Sequence, residues 1–399
     1  MADRAGKPAA LVLCALLAVV LPSRGESTDP LPRRAQLAIW CEFMPYDEVE
    51  KHLSVLGRYS CALLLHVGTG DIGPGLARLC RRAAESRVPV IAWFLLPYDE
   101  HLYVGEETVT ATRELALRFA RWAREEQLDA DGVVFDCEPS PLLGRVLFAA
   151  VRRGRVIGLS RLLKNETDPR RFQRSVESLN ALIRELHAEG FRVMGSANRV
   201  FLDFYRHGNT AAQDALNAPF TMIRWDRMSF ITYRYQASQV QYVAMINRYA
   251  GLAHRFFGDR AALDVGLLGD QRALPGHAER AELFGGGRRF SSYLLGMRSV
   301  LELGEAVGVA LGRRVEYVNL YSLEGAVASV AGLDFWLRAA SEARPITGLA
   351  RWTPLRSSKL AMMSALLNGL FRSLVGGSSK DWKAGAPDFQ PLEAGPGAP

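Results

Sequence analysis

Short apolar runs alternate with longer amphipathic stretches along most of this chain. This alternation is typical of a parallel sheet that is covered by helices. Eight such runs are present, and eight parallel strands can close into a barrel. The runs span 36–43, 61–68, 88–96, 130–138, 191–198, 227–235, 262–269 and 316–324. We therefore predict an α/β fold of the (β/α)8 TIM barrel type over residues 34–345.

Amphipathic segments between these runs predict the covering helices. They span 47–59, 73–87, 108–127, 170–189, 237–257 and 291–309. An open doubly wound sheet is the alternative arrangement, and it usually carries a glycine-rich phosphate loop after its first strand. The first run here is followed by CEFMPYDE instead, which favours the closed barrel.

Segments outside this repeat predict four further features. Arg4 and Lys7 precede an apolar run over 9–21, so residues 1–25 resemble a signal peptide and predict a secreted or periplasmic protein, with a retained N-terminal anchor as the alternative. Residues 139–168 predict a helical insertion after the fourth strand. Apolar residues at helical spacing predict a C-terminal amphipathic helix within an extension over 346–376. Residues 377–399, rich in Gly and Pro, predict a disordered tail.

Charge and cysteine content limit the ligands and partners that we expect for this chain. The formal net charge of +7 is mild, and the paired arginines lack the interleaved aromatic residues that stack on bases, so we expect no nucleic acid. The cysteines of the predicted barrel lie on or beside separate apolar segments without metal-ligand spacing. We expect buried free thiols, no metal site and no cofactor.

Two carboxylates lie at the end of the fourth predicted strand. Side chains alternate between the barrel interior and the helix layer along a strand. Val133, Phe135 and Cys137 suit the helix layer, which leaves Val134, Asp136 and Glu138 facing inward. Enzymes with this fold place reactive groups at the carboxyl-terminal ends of the strands. Asp136 and Glu138 are therefore the candidate catalytic pair.

Other polar and aromatic residues fall at the same end of the barrel. Glu42 and Glu324 are candidates for a second catalytic carboxylate. Aromatic rings stack on the faces of sugars while polar groups bind the hydroxyls, so the aromatic and polar residues at this end of the barrel predict a carbohydrate ligand. The candidate ligand-binding residues are Trp40, His66, Trp93, Tyr98, Tyr233, Arg234 and Tyr321.

The sequence DGVVFDCE at 131–138 resembles the fourth-strand signature DGxDxDxE of glycoside hydrolase family 18, the chitinase-like barrels. The matching positions are Asp131, Gly132, Asp136 and Glu138. The resemblance implies that Glu138 is the general acid, that Asp136 orients the acetamido group of the substrate, and that Tyr233 supports that group. Val134 replaces the middle Asp of the signature, which removes a carboxylate that would share a proton with Asp136. We therefore expect Asp136 to stay ionised.

These residues support three hypotheses of different classes. The first is a secreted hydrolase of glycosidic bonds, in which Glu138 acts with Asp136 or with Glu42 or Glu324. The second is a catalytically inactive barrel that binds a glycan or a protein, because the signature is only partly matched. The third is a scaffold at a membrane surface, which rests on the amphipathic stretches alone.

Overall fold

The computed structural model shows a closed barrel of eight parallel strands in sequential order. It describes residues 34–97, 102–139, 143, 165–206, 211–234, 238–269 and 296–348. Each strand pairs in parallel with its neighbours in sequence, and β1 pairs with β8 to close the ring. The predicted (β/α)8 barrel is confirmed.

Each strand lies inside its apolar run, except that the seventh strand begins one residue before its run. They are β1 (Gln36–Cys41), β2 (Ala62–Val67), β3 (Val90–Phe94), β4 (Gly132–Cys137), β5 (Arg192–Asn198), β6 (Arg227–Tyr233), β7 (Ala261–Gly266) and β8 (Tyr317–Tyr321). The eighth run extends to 324 in the sequence, but the strand ends at Tyr321. A short helix begins at Leu323, because the Ser322 hydroxyl accepts a hydrogen bond from the Gly325 amide and caps it.

Helices follow the strands as the repeat predicts, with additional short ones at the barrel ends. The described helices are α1 (Tyr46–Glu50), α2 (Leu53–Arg58), α3 (Pro74–Glu85), α4 (Val109–Glu125), α5 (Pro169–Ala188), α6 (Val200–Arg206), α7 (Ala211–Ala215), α8 (Gln239–Phe257), α9 (Val300–Gly312), α10 (Leu323–Ala328) and α11 (Gly332–Ser341). The prediction of one helix over 47–59 was wrong, since α1 and α2 are separated at Lys51 and His52.

The apolar core has two layers. One lies between the strands and the helices, and the other lies inside the barrel. The outer layer contains Val133, Phe135 and Cys137 of β4, while Val134 belongs to the small interior cluster with Trp40 and residues of five other strands. The predicted facing of β4 is confirmed, and the same alternation holds on β1, where Leu37, Ile39 and Cys41 face the helices. Inward positions on β4 therefore lead to Asp136 and Glu138 at the carboxyl-terminal end of the barrel, here called the mouth.

Several predicted features lie outside the described residues or at their edge. The segment 1–25, nearly all of the insertion at 139–168, the extension beyond residue 348 and the tail at 377–399 belong to this part of the chain. Within the described ranges, no helix combines the length and the hydropathy that crossing a membrane requires. The four cysteines Cys41, Cys61, Cys80 and Cys137 are buried free thiols, as the sequence predicts.

Candidate active site

Three carboxyl groups lie together inside the barrel. Asp136 and Glu138 extend from the end of β4, and Asp264 extends from the middle of β7. Asp136 is 7% exposed and Asp264 is fully buried, whereas Glu138 is partly exposed at the mouth. The charges of Glu138 and Asp264 both act on Asp136. We call these three residues the acidic centre.

Asp264 is held by donors from four other strands. Its carboxylate accepts hydrogen bonds from Trp40 Nε1 at 3.1 Å, Ser196 Oγ at 2.8 Å and Asn319 Nδ2 at 2.7 Å. The Ser229 hydroxyl is a further donor. Burial raises the pKa of Asp264, and the four hydrogen bonds lower it. Because every one of these donors stabilises a carboxylate, Asp264 is the member of the centre best suited to carry the negative charge.

Asp136 is in the opposite situation, with little to stabilise its charge. Burial raises the pKa of Asp136 well above its usual range, and the charges of Glu138 and Asp264 raise it further. Its Oδ1 atom is buried and has no hydrogen-bond partner among the described residues. Burial and these charges favour the neutral form of Asp136, whereas the sequence led us to expect the ionised form. Val134 does remove one carboxylate from β4, but Asp264 supplies another from β7.

The carboxyl group of Glu138 has a pKa close to neutral pH. Burial raises the pKa of Glu138 to about 7 and the charge of Asp264 adds to this effect, while a hydrogen bond from the Asn198 amide and the charge of Arg199 oppose it. Asn198 ends β5 and Arg199 follows it, so both reach Glu138 from the neighbouring strand. A carboxyl group with such a pKa can be protonated and can release its proton near neutral pH.

The candidate second carboxylates, Glu42 and Glu324, have different surroundings. Glu324 Oε1 accepts backbone N–H bonds from Glu42, Phe43 and Met44 at 2.7, 2.8 and 3.2 Å. This carboxylate therefore anchors the loop after β1. Glu42 Oε2 accepts a hydrogen bond from the Tyr321 hydroxyl at 2.5 Å, on the inward side of β8.

The predicted aromatic residues fill the barrel interior. Trp40 and Trp93 are 2% and 4% exposed, and their rings meet edge to face with centroids 4.7 Å apart. Tyr233 and Tyr321 both face inward, and their rings lie 4.8 Å apart. Trp40 thus contacts the acidic centre through its N–H, and Tyr233 is the more exposed ring of the second pair.

The remaining predicted ligand-binding residues are divided between the mouth and the helix layer. His66 Nδ1 lies 3.2 Å from the Glu42 carbonyl, and burial lowers the pKa of this histidine, which favours the neutral ring. Arg234 forms an ion pair with Glu302 of α9, so its guanidinium is engaged outside the interior. Tyr98 lies outside the described residues. The ligand-binding roles assigned to these residues stay predictions.

Sequence reasoning missed Asp264 and Asn198. Alternation would have found Asp264, because Leu263 and Val265 are apolar and face the helices, which turns the residue between them inward. The same rule places Asn198 inward with Ser196 and Met194.

Comparison with known proteins finds similarity at the level of the barrel. No protein family model and no curated protein matches the chain. The PgaB (BpsB) glycoside hydrolase domain from Bordetella bronchiseptica is similar at 11% identity over 79% of this chain and 100% of that one, with a TM-score of 0.43. A chitinase from Bacteroides thetaiotaomicron is similar at 11% identity over 77% and 96%, with a TM-score of 0.44.

A third similar structure is that of an uncharacterized B. cereus protein, at 12% identity and a TM-score of 0.36. It covers 76% of this chain and 64% of that one, so the chain spans about two thirds of its length. These similarities concern the fold alone.

Proposed function

We propose that this chain is an exported glycoside hydrolase in which Glu138 is the general acid. The observation that carries the proposal is the pairing of a partly exposed carboxyl group, with a pKa of about 7, with the buried Asp136 at the end of the same strand. The leader-like segment at 1–25 and the sugar-binding residue types at the mouth support export and a carbohydrate substrate. N-terminal sequencing of the mature protein tests the export.

In this proposal Glu138 protonates the glycosidic oxygen as its bond to the anomeric carbon breaks. The electron pair of that bond leaves with the oxygen, and positive charge develops on the sugar ring. Burial favours the neutral forms of Asp136 and Glu138 before the reaction, and the charge of Asp264 favours them further. Asp136, with its unpartnered buried Oδ1, then hydrogen-bonds to the acetamido group of an N-acetylated substrate, whose carbonyl oxygen attacks the anomeric carbon.

If the substrate lacks an acetamido group, a second carboxylate must attack the anomeric carbon or activate a water molecule. Glu42 suits this role better than Glu324, because one oxygen of Glu324 already accepts three backbone N–H bonds. The Tyr321 hydroxyl would orient Glu42 and stabilise its charged form. Where the acetamido oxygen or Glu42 attacks the anomeric carbon, Glu138 is left ionised and accepts a proton from the water that then completes hydrolysis. Where Glu42 activates the water directly, Glu42 takes that proton in the same step.

A glycan-binding barrel without turnover is the second candidate. The near-complete burial of Trp40 and Trp93 favours it, because Trp40 occupies interior space against Asp264 and Trp93 packs on Trp40. Under this function a glycan would stay at the rim, near Tyr233 and His66.

A matched pair of variants separates the two functions. Glu138→Gln removes the proton of the general acid, and Glu177→Gln makes the same change on the exposed face of α5. We expect wild type and Glu177→Gln to release reducing ends from a glycan of the test panel, and Glu138→Gln to lose on the order of 100-fold to 10,000-fold in rate. Unchanged turnover in Glu138→Gln would reject the role of Glu138. Glycan binding without product in all three proteins would establish the second candidate.

A further inference from the structure

A cavity opens at the end of the barrel opposite the mouth, where the strands begin. Its volume is about 660 Å³, which lies within the range of about 300–1,000 Å³ that is typical of small-molecule sites. The first residues of several strands line it, and Asn319 and Met194 form its inner boundary. It is therefore separate from the opening at which Glu138 lies.

Small side chains account for this space. Inward positions near the starts of β1 and β2 are occupied by Ala38 and Ala62, where TIM barrels more often carry bulky branched residues. Polar and charged residues surround the gap instead of filling it. Asn319 closes its inner end and donates to Asp264 on the far side.

Positive charge predominates in the lining. Five arginines line the cavity against two carboxylates, Asp131 and Glu342; the arginines are Arg34, Arg58, Arg192, Arg227 and Arg344. We call this site the arginine cavity. Arg58 forms an ion pair with Asp334 at 2.6 Å, and Asp131 lies 3.8 Å from Arg192. Within the described part of the chain, Arg34, Arg227 and Arg344 have no ion-pair partner.

Arg227 is the most constrained of these groups. Its guanidinium carbon lies 3.1 Å from the centroid of the Tyr317 ring, which holds it in place on the lining. Its Nε atom is buried without a hydrogen-bond partner among the described residues. Burial lowers the pKa of Arg227 and the charge of Arg192 adds to this effect, while Tyr317 and the charge of Asp226 oppose it. A negatively charged ligand would relieve this unfavourable burial of charge.

We propose that the arginine cavity binds a phosphate or sulfate group. Guanidinium groups recognise tetrahedral oxyanions through paired, charge-assisted hydrogen bonds, and Arg227, Arg34 and Arg344 are the groups with donors to offer. The group could belong to a free inorganic anion or to a small ester such as a sugar phosphate. The volume of the cavity favours the ester, because it has room for an organic part beside the charge.

Isothermal titration calorimetry at pH 7 and fixed low ionic strength tests this proposal. The probes are pyrophosphate, sulfate, glucose 6-phosphate, glucose 6-sulfate and neutral glucose. We expect saturable binding of at least one anion and none of glucose. Tighter binding of the esters than of the inorganic ions identifies an ester ligand, and the reverse order identifies a free anion.

Three variants locate the bound anion. Arg227→Gln and the exposed Arg34→Gln should each weaken binding about tenfold or more, and Arg34→Gln keeps the test valid if loss of Arg227 prevents folding. Arg78→Gln, which removes an exposed arginine paired with Glu50 on the outside of the barrel, should bind like wild type. The absence of saturable anion binding, or equal affinity in Arg227→Gln, Arg34→Gln and Arg78→Gln, would overturn the proposal.

Discussion

Replacing Glu138 by glutamine should make the protein more stable at alkaline pH even as it removes the proposed general acid. The pKa of Glu138 is raised from 4.5 to about 7, mainly by burial, so the fold prefers the neutral carboxyl group. A glutamine side chain is always neutral, has a similar shape and keeps a carbonyl oxygen for the Asn198 amide. The variant therefore retains the favoured state at every pH.

Linkage gives the sign and the size of this effect. A group whose folded pKa is raised contributes stability that is complete below the unfolded pKa and lost as pH rises through the folded pKa. For Glu138 the loss begins near pH 4.5 and is complete above pH 7. At about 1.36 kcal/mol per pKa unit, wild type should lose about 2.5 kcal/mol between pH 5 and pH 8 that the variant keeps.

Urea unfolding followed by tryptophan fluorescence measures this difference. The free energy of unfolding of wild type, Glu138→Gln and the exposed control Glu177→Gln would be compared at pH 5, 6, 7 and 8. We expect the advantage of Glu138→Gln over wild type to grow steadily with pH, and the control to follow wild type. A difference between Glu138→Gln and wild type that stays constant from pH 5 to pH 8 would refute a raised pKa at Glu138.

Two further substitutions test the surroundings of the site. Asp264→Asn removes a charge that adds to the effect of burial on the pKa values of Asp136 and Glu138. The alkaline limb of the pH–rate profile should therefore move to lower pH by about one pH unit. An unmoved limb would show that this charge has no influence. Glu324→Ala leaves three backbone N–H groups without their acceptor and should cost about 3 kcal/mol in the free energy of unfolding, whereas Glu324→Gln keeps a carbonyl oxygen and should cost about 1 kcal/mol. Equal losses in urea unfolding would contradict the anchoring role of Glu324.

The barrel could be predicted from the sequence because each strand is a short apolar run with a consistent period of two. On β4 that period also predicted which side chains face inward, including Asp136 and Glu138. Helix boundaries were harder where the polar pattern continues without a stop signal. The break between α1 and α2 is one example, and the start of α10 at the end of the eighth run is another.

The electrostatics of the site could not be predicted from a single motif. Asp136 was expected to stay ionised because Val134 replaces the neighbouring acid of β4. Burial and the charges of Glu138 and Asp264 raise its pKa instead, and Asp264 lies 128 positions away in sequence. The donors that hold Asp264 come from β1, β5, β6 and β8. Only closure of the barrel brings these residues together, and no local pattern encodes it.

The arginine cavity could also not be predicted, because its residues lie far apart in the sequence. The arginine cavity combines Arg34 from before β1, Arg227 at the start of β6 and Arg344 from after α11. In the sequence they are three ordinary basic residues among many, since arginines are common on the surfaces of helices. Their convergence follows from the fact that all strand starts of a parallel barrel lie at one end.

The central claim is that Glu138 acts as an acid in glycosidic bond cleavage. The most direct measurement is the release of reducing ends from a glycan panel that includes N-acetylated and non-acetylated substrates, with wild type and Glu138→Gln compared from pH 5 to pH 8. We predict turnover by wild type that falls above pH 7 and is lost in Glu138→Gln. Turnover that persists in Glu138→Gln, or no turnover of any substrate by wild type, would contradict the claim.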